Sequence, residues 1–172
     1  MRVAAWLADQ GAGAVALLSR RHPSPELQSQ IESLDTRVAA LQGDVTDRDS
    51  LAAALAQLPK NFPPLRGVIH AAGVLADGIL ADMDLEQLDR AMRPKVQGAW
   101  NLHLVTQEAP LDFFVMFSSV ASVMGSPGQA NYAAGNAMLD TLAQYRRGLG
   151  LPATSINWGP WAEAGMAAER CG

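Results

Sequence analysis

The sequence predicts a doubly wound α/β fold, in which helices cover both faces of a parallel sheet. Three observations carry that expectation. Apolar periodicity switches repeatedly between helix-like and strand-like patterns along the chain. The strands read as short continuous apolar runs instead of alternating ones, as strands buried on both faces do. Each strand also runs into polar or glycine residues: Ser19-Arg20-Arg21, Gly43-Asp44-Val45, Ala71-Ala72-Gly73, Ser118-Ser119 and Asn157-Trp158-Gly159-Pro160. Ligands bind beyond the carboxyl ends of strands in such sheets, so this is where chemistry is expected.

The elements follow in order. Val3, Trp6 and Leu7 share one helical face closed by Gly11 and Gly13, so the chain opens inside a helix. Ala14–Leu18 is a buried strand. Ser24 caps a helix near Glu26–Leu34, with Pro25 at its first position. Val38–Leu41 is the second strand, and Asp47 caps a helix that runs to Leu58 and stops at Pro59. Gly67–His70 is the third strand. Two helices are expected next, Asp84–Met92 and Pro94–Thr106, because a proline inside a helix costs ~3 kcal/mol and fits best in a first turn. Leu111–Phe117 is a strand, Gln129 to Arg147 a long helix ended by Gly148 and Gly150, and Ala153–Asn157 the last strand.

Composition narrows the function. The 172 residues are 49% apolar and 17% charged, ordinary for a globular chain and enough for one domain with one core, spanning 1–172. A net charge of −4 without a basic stripe argues against nucleic acid. The single cysteine, Cys171, allows no disulfide framework, which suits a reducing cytoplasm. His22, His70 and His103 lack metal-ligand spacing, no apolar run of ~20 residues would span a membrane, and the N-terminus is too short and too polar for a signal peptide. A cytoplasmic protein without a metal, a nucleic-acid partner or a membrane partner is expected.

The most informative constellation is Ser119, Tyr132 and Asn136. Ser119 closes an apolar strand, and Tyr132 and Asn136 stand four residues apart on a helix and so share a face. Taken singly, each has a structural reading: a turn serine, a core or rim tyrosine. Together with their surroundings they resemble a known family. Phe117-Ser118-Ser119-Val120-Ala121-Ser122, followed by Gly125-Ser126-Pro127-Gly128-Gln129-Ala130-Asn131-Tyr132-Ala133-Ala134-Gly135-Asn136, is similar to the active-site stretch of ketoreductases from polyketide and fatty-acid synthases. These are members of the short-chain dehydrogenase/reductase superfamily and have a Rossmann-like sheet. The family's serine precedes its tyrosine by thirteen residues, which selects Ser119 over Ser118. Most of the superfamily carries a lysine four residues after the tyrosine. Synthase ketoreductases carry asparagine there and take the lysine from an earlier helix, matched here by Pro94-Lys95-Val96-Gln97-Gly98-Ala99-Trp100-Asn101-Leu102-His103. Pro152-Ala153-Thr154-Ser155-Ile156-Asn157-Trp158-Gly159-Pro160-Trp161, with Gly165-Met166-Ala167, resembles the family's late strand and loop.

The resemblance implies a mechanism: NADPH-dependent reduction of a β-ketoacyl thioester, carried on the phosphopantetheine arm of an acyl carrier domain, within a synthase of several neighbouring domains. Lys95, Ser119, Tyr132 and Asn136 would be catalytic. A free phenol, with a pKa of ~10, returns its proton slowly at neutral pH unless a nearby ammonium stabilises the phenolate, the role implied for Lys95. Ser119 would hold the substrate carbonyl, and Asn136 would complete the polar network around Lys95 and a relay water. Ser19, Arg20, Arg21, Asp44, Val45, Ala71, Ala72, Gly73, Lys95, Tyr132 and Pro160 are the expected cofactor residues, and Leu75, Asp77, Ser119, Gln129 and Trp158 the expected substrate residues. Arg20-Arg21 after the first strand, where an NAD site carries an acid, suits a 2′-phosphate and also fits a bare surface pair. Leu75-Ala76-Asp77 keeps the last acid of the B-type Leu-Asp-Asp motif, and residues 120–131 lack the A-type tryptophan, so a D-alcohol is expected.

Family members begin with a strand and a glycine-rich loop that cradles the pyrophosphate at a helix N-terminus. Nothing here matches it, and Gly11-Ala12-Gly13 follows a helix and precedes a strand, the reverse of the required order. In the order 3-2-1-4-5-6 that strand is central, so the strands at 14–18 and 67–70 are each expected to lack a neighbour. The sequence therefore reads as an internal fragment of such a domain. A remnant without activity and a stand-alone reductase of small carbonyl compounds stay open as alternatives, the second disfavoured by Asn136 with Lys95.

Overall fold

A computed structural model of the chain describes residues 1–161. Gly165-Met166-Ala167 and Cys171 lie outside the described residues. The chain divides into two compact units, one of Met1–Pro64 and one beginning at Leu65.

The first unit runs α1 (Arg2–Asp9), β1 (Ala14–Ser19), α2 (Pro25–Glu32), β2 (Arg37–Gln42) and α3 (Arg48–Ala56). Both predicted caps form. The Ser24 side chain accepts from the Leu27 amide at 3.3 Å, and the Asp47 carboxylate from the Ser50 amide at 2.9 Å, each satisfying an orphan donor of a first turn. β1 and β2 pair in parallel from Ala14↔Arg37 to Ser19↔Gln42. Ala4, Val15, Ile31, Leu41, Leu51 and Ala54 are buried. Gly43 lets α3 settle on the end of β2, because a β-carbon there would lie 2.9 Å from that of Ala54. The expected face of α1 is only partly covered: Trp6 is 57% exposed and the buried residue is Ala4.

The second unit holds β3 (Gly67–His70), a 3-10 turn (Leu80–Asp82), α4 (Leu85–Thr106), β4 (Phe113–Ser119), α5 (Ala121–Met124), α6 (Ala130–Gly148) and β5 (Thr154–Trp158). Its sheet has the order β3-β4-β5 and is parallel throughout. The orders β1-β2 and β3-β4-β5 are those that 3-2-1-4-5-6 leaves on either side of its first strand. Among the described residues, β1 pairs only with β2 and β3 only with β4.

One expectation is corrected. The residues from 85 to 106 form one helix of 22 residues with Pro94 inside it, not two helices. Pro94 removes the amide that the Arg90 carbonyl would accept, but Arg90 is exposed and water can take its place. Buried positions continue through the proline, from Ala91 to Lys95, Gly98, Ala99 and Leu102. They pack against α6, which buries Gly135, Leu139, Leu142 and Ala143. Small residues on both helices permit close packing, and that burial offsets the cost of the proline.

Candidate active site

The second unit brings Lys95, Ser119, Tyr132 and Asn136 together. β4 carries the serines to the carboxyl end of the sheet with alternate residues inward, so Ser118 is buried and Ser119 half-buried. The Ser119 hydroxyl oxygen accepts from the Ala121 amide at 3.2 Å, which fixes the oxygen and leaves its proton free to be donated. Tyr132 and Asn136 sit one turn apart on α6. Asn136 is fully buried; its amide donates to the Tyr132 carbonyl at 2.7 Å. Its Oδ1 has no partner, an acceptor buried without a donor.

Lys95 reaches this point from α4. It is 3% exposed, its Nζ donates to the Phe117 carbonyl at 3.0 Å, and it lies 5.4 Å from the centroid of the Tyr132 ring. Its hydrogen-bond partner is thus the backbone of β4. Burial pushes the ammonium down to about 8, with the charge of Asp140 opposing that fall. Near pH 7 it stays mostly protonated, a cation beside an aromatic face.

The loop of the expected substrate residues is fastened to the same helix. Gln129 Nε2 donates to the Asp77 carboxylate at 3.0 Å, and the Gly78 amide to the Gly128 carbonyl at 2.8 Å. Asn131, fully buried, donates to the Ala76 carbonyl at 2.8 Å, and Gln87 Nε2 to the Asp77 carbonyl at 2.7 Å. Sequence reasoning does not single out Asn131 and Gln87, since their partners are remote along the chain and only polarity marks them. Leu75 is half-buried. Trp158 packs between Phe117 and Trp161 at centroid distances of 5.4 and 5.1 Å, and its Nε1 donor is buried without a partner. Pro160, Ala71 and Ala72 are exposed and Gly73 half-buried, all just past strand ends.

The remaining cofactor candidates belong to the first unit. Ser19 closes β1, and its hydroxyl donates to the Arg21 carbonyl at 2.5 Å. The Arg20 and Arg21 side chains are exposed and make no ion pair among the described residues, so both guanidinium groups are available to a phosphate. Asp44 accepts from the Thr46 amide and hydroxyl, both at 2.8 Å, and so shapes the turn into α3; Val45 lies in that turn. The two exposed guanidinium groups of Arg20 and Arg21 suit the 2′-phosphate of NADPH. Among the described residues there is no His/Cys/Asp/Glu group able to hold a metal, and no helix is long and apolar enough to cross a membrane.

Comparison with known proteins identifies the family. The KR domain family matches residues 1–163. The polyketide synthase GfsB of Streptomyces halstedii is 45% identical over 97% of this chain. A phenolphthiocerol/phthiocerol polyketide synthase of Mycobacterium tuberculosis is 42% identical over 96%. The chain spans only 3% and 8% of these two proteins. A solved structure of A-type ketoreductases from a modular polyketide synthase superposes with a TM-score of 0.90 at 50% identity, covering 96% of this chain and 36% of that one. A parallel α/β fold, a buried lysine beside the tyrosine and a match along nearly the whole chain lead to one assignment: the chain belongs to the KR family, the ketoreductase domains of modular polyketide synthases.

Proposed function

We propose that residues 1–172 form one NADPH-dependent domain that reduces a β-ketoacyl thioester, presented by an acyl carrier domain, to the 3-hydroxyacyl thioester. The observation that carries this reading is the buried Lys95 ammonium set 5.4 Å from the centre of the Tyr132 ring. Bound NADPH would supply the hydride to the ketone carbon. Tyr132 gives its hydroxyl proton to the ketone oxygen, and Ser119 donates a hydrogen bond to that oxygen as negative charge develops on it. Lys95 stabilises the resulting phenolate, and the vacant acceptor of Asn136 holds a water through which the phenol is reprotonated. Arg20 and Arg21 take the 2′-phosphate; Ser19, Asp44, Val45, Ala71, Ala72, Gly73 and Pro160 contact the rest of the cofactor, and Leu75, Asp77, Gln129 and Trp158 orient the thioester.

The hand of the product is the finer question. Asp77 with its Gln129 partner, and the absence of tryptophan from 120–131, support the B-type D-alcohol, whereas overall similarity to A-type enzymes supports the opposite hand. The local features carry more weight, because they border the substrate path and whole-chain similarity does not.

The test uses the full chain, NADPH and a short β-ketoacyl N-acetylcysteamine thioester, followed by loss of NADPH absorbance. Tyr132→Phe is expected to cost at least ~100-fold in rate while the circular dichroism spectrum stays native. Reduction at the wild-type rate in that variant overturns the catalytic assignment. Chiral chromatography of the product reads the second question, and an L-alcohol overturns the B-type reading.

A further inference from the structure

Tyr132, Asn136 and Asp140 recur at intervals of four on α6, so the face that carries the proposed acid continues one turn further to a carboxylate. Asp140 is half-buried and accepts three hydrogen bonds: from Ser122 of α5 at 2.7 Å, from Ser155 of β5 at 2.5 Å and from Asn157 of β5 at 2.9 Å. The Asn157 amide nitrogen is also within reach of the Ser118 hydroxyl at 3.3 Å, the Ser119 carbonyl at 3.3 Å and the Ser122 hydroxyl at 2.6 Å. Ser118 in turn donates to the Asn136 carbonyl at 3.2 Å. One carboxylate thus anchors a polar cluster joining α5, α6, β4 and β5 at the strand end that bears Ser119.

We propose that Asp140 is a positioning residue for the chemistry above: its carboxylate fixes the Ser118-Ser119 end of β4 and supplies the counter-charge for Lys95. The inference rests on the reductase reading for its catalytic consequence, but not for its physical content. Burial pushes the carboxyl of Asp140 up; hydrogen bonds from Ser122, Ser155 and Asn157 outweigh it and hold the group below the ordinary aspartate range, so it is charged at neutral pH. Burial pushes Lys95 down, and the charge of Asp140 is what opposes it. The other groups facing Lys95 are His70 of β3, Tyr132 of α6 and the Phe117 carbonyl of β4. Among these, neutral His70 adds no charge near pH 7, and Asp140 is the anion whose charge favours the protonated form of Lys95.

The chain has two lysines, Lys60 and Lys95, which makes the test direct. In protein labelled with 13C at lysine Cε, the Lys95 signal is expected to move with a midpoint near 8. Asp140→Asn is expected to lower the Lys95 midpoint by about 0.5 unit or more. In turnover, the basic limb of the kcat profile should move down by the same amount with KM for the thioester little changed, and Asp140→Glu should restore both. An unchanged Lys95 midpoint in folded Asp140→Asn overturns the proposal even where Tyr132→Phe is inactive; an active Tyr132→Phe overturns the reductase reading without touching the Lys95 titration. Should Asp140→Asn fail to fold, Lys95→Met reads the coupling from the other end. The 13Cγ midpoint of Asp140 must then rise, and no rise overturns the proposal.

Discussion

The two units differ most in what they bury. Among the described residues, all nine buried polar or charged ones, His70, Lys95, Asn101, His103, Thr106, Ser118, Asn131, Asn136 and Arg146, belong to the second unit. The first unit buries only aliphatic side chains and alanine, and its proposed ligand groups, Arg20 and Arg21, stand in solvent. Burying a polar group costs free energy unless it is paired, and a satisfied network makes the surrounding structure rigid. The second unit therefore holds its groups in fixed positions, as bond-making chemistry needs. The first unit offers charges on long, solvated stems, which suffices to recognise an anion.

Three experiments probe that contrast. The largest effect is expected at Phe114, which is fully buried and carries the Arg146 guanidinium 3.9 Å above its ring. Phe114→Ala removes the aromatic volume and the face that shelters the cation, and should cost about 3–5 kcal/mol by urea denaturation. A loss under ~1 kcal/mol would mean that Arg146 rests on its bonds to the Pro152 carbonyl and His103 alone.

The next effect is pH-dependent. His70 is 3% exposed, and burial, with Lys95 contributing, pushes its pKa from 6.5 down to about 4. The unfolded chain then binds the proton first as pH falls. The stabilising contribution is complete above pH 6.5 and disappears as pH falls through 4, a loss of about 3 kcal/mol. Denaturation curves from pH 7 to 4 should show this, and His70→Gln should flatten them. The smallest effect belongs to the first unit: the double variant Arg20→Ala, Arg21→Ala should weaken NADPH binding by about 10-fold, leave NADH binding unchanged and not alter the unfolding midpoint. Equal weakening for both nucleotides would show that the pair does not read the 2′-phosphate.

Local chemistry is what the sequence displays best. Ser24 and Asp47 are legible as caps because a cap acts over three residues, and Gly67–His70 is legible as a strand because it is apolar and bounded. Pro94 misleads because its local penalty is offset by packing against α6, a tertiary term absent from any window around it. α5 goes unseen, since four residues carry no period. Tyr132 and Asn136 are paired by their spacing on one helix, but Lys95 and Ser119 join them only through resemblance, because 37 residues separate Lys95 from Tyr132. Asp140 is visible in principle, eight residues past Tyr132 on the same face, but its partners Ser122, Ser155 and Asn157 lie in other elements.

The contact between His70 Nε2 and the Pro94 carbonyl, at 3.1 Å, joins the end of β3 to the turn of α4 just before Lys95. Helix, strand end and ammonium are thereby locked together when the chain folds, not when a substrate arrives. In the proposed reduction the ordering cost would then be met once per folding event and not once per turnover, so the dipoles would need little reorganisation as charge moves from ketone to phenol. Loosening this joint would slow the chemical step and leave ground-state affinity unaltered, a kinetic signature unlike that of any lost binding contact.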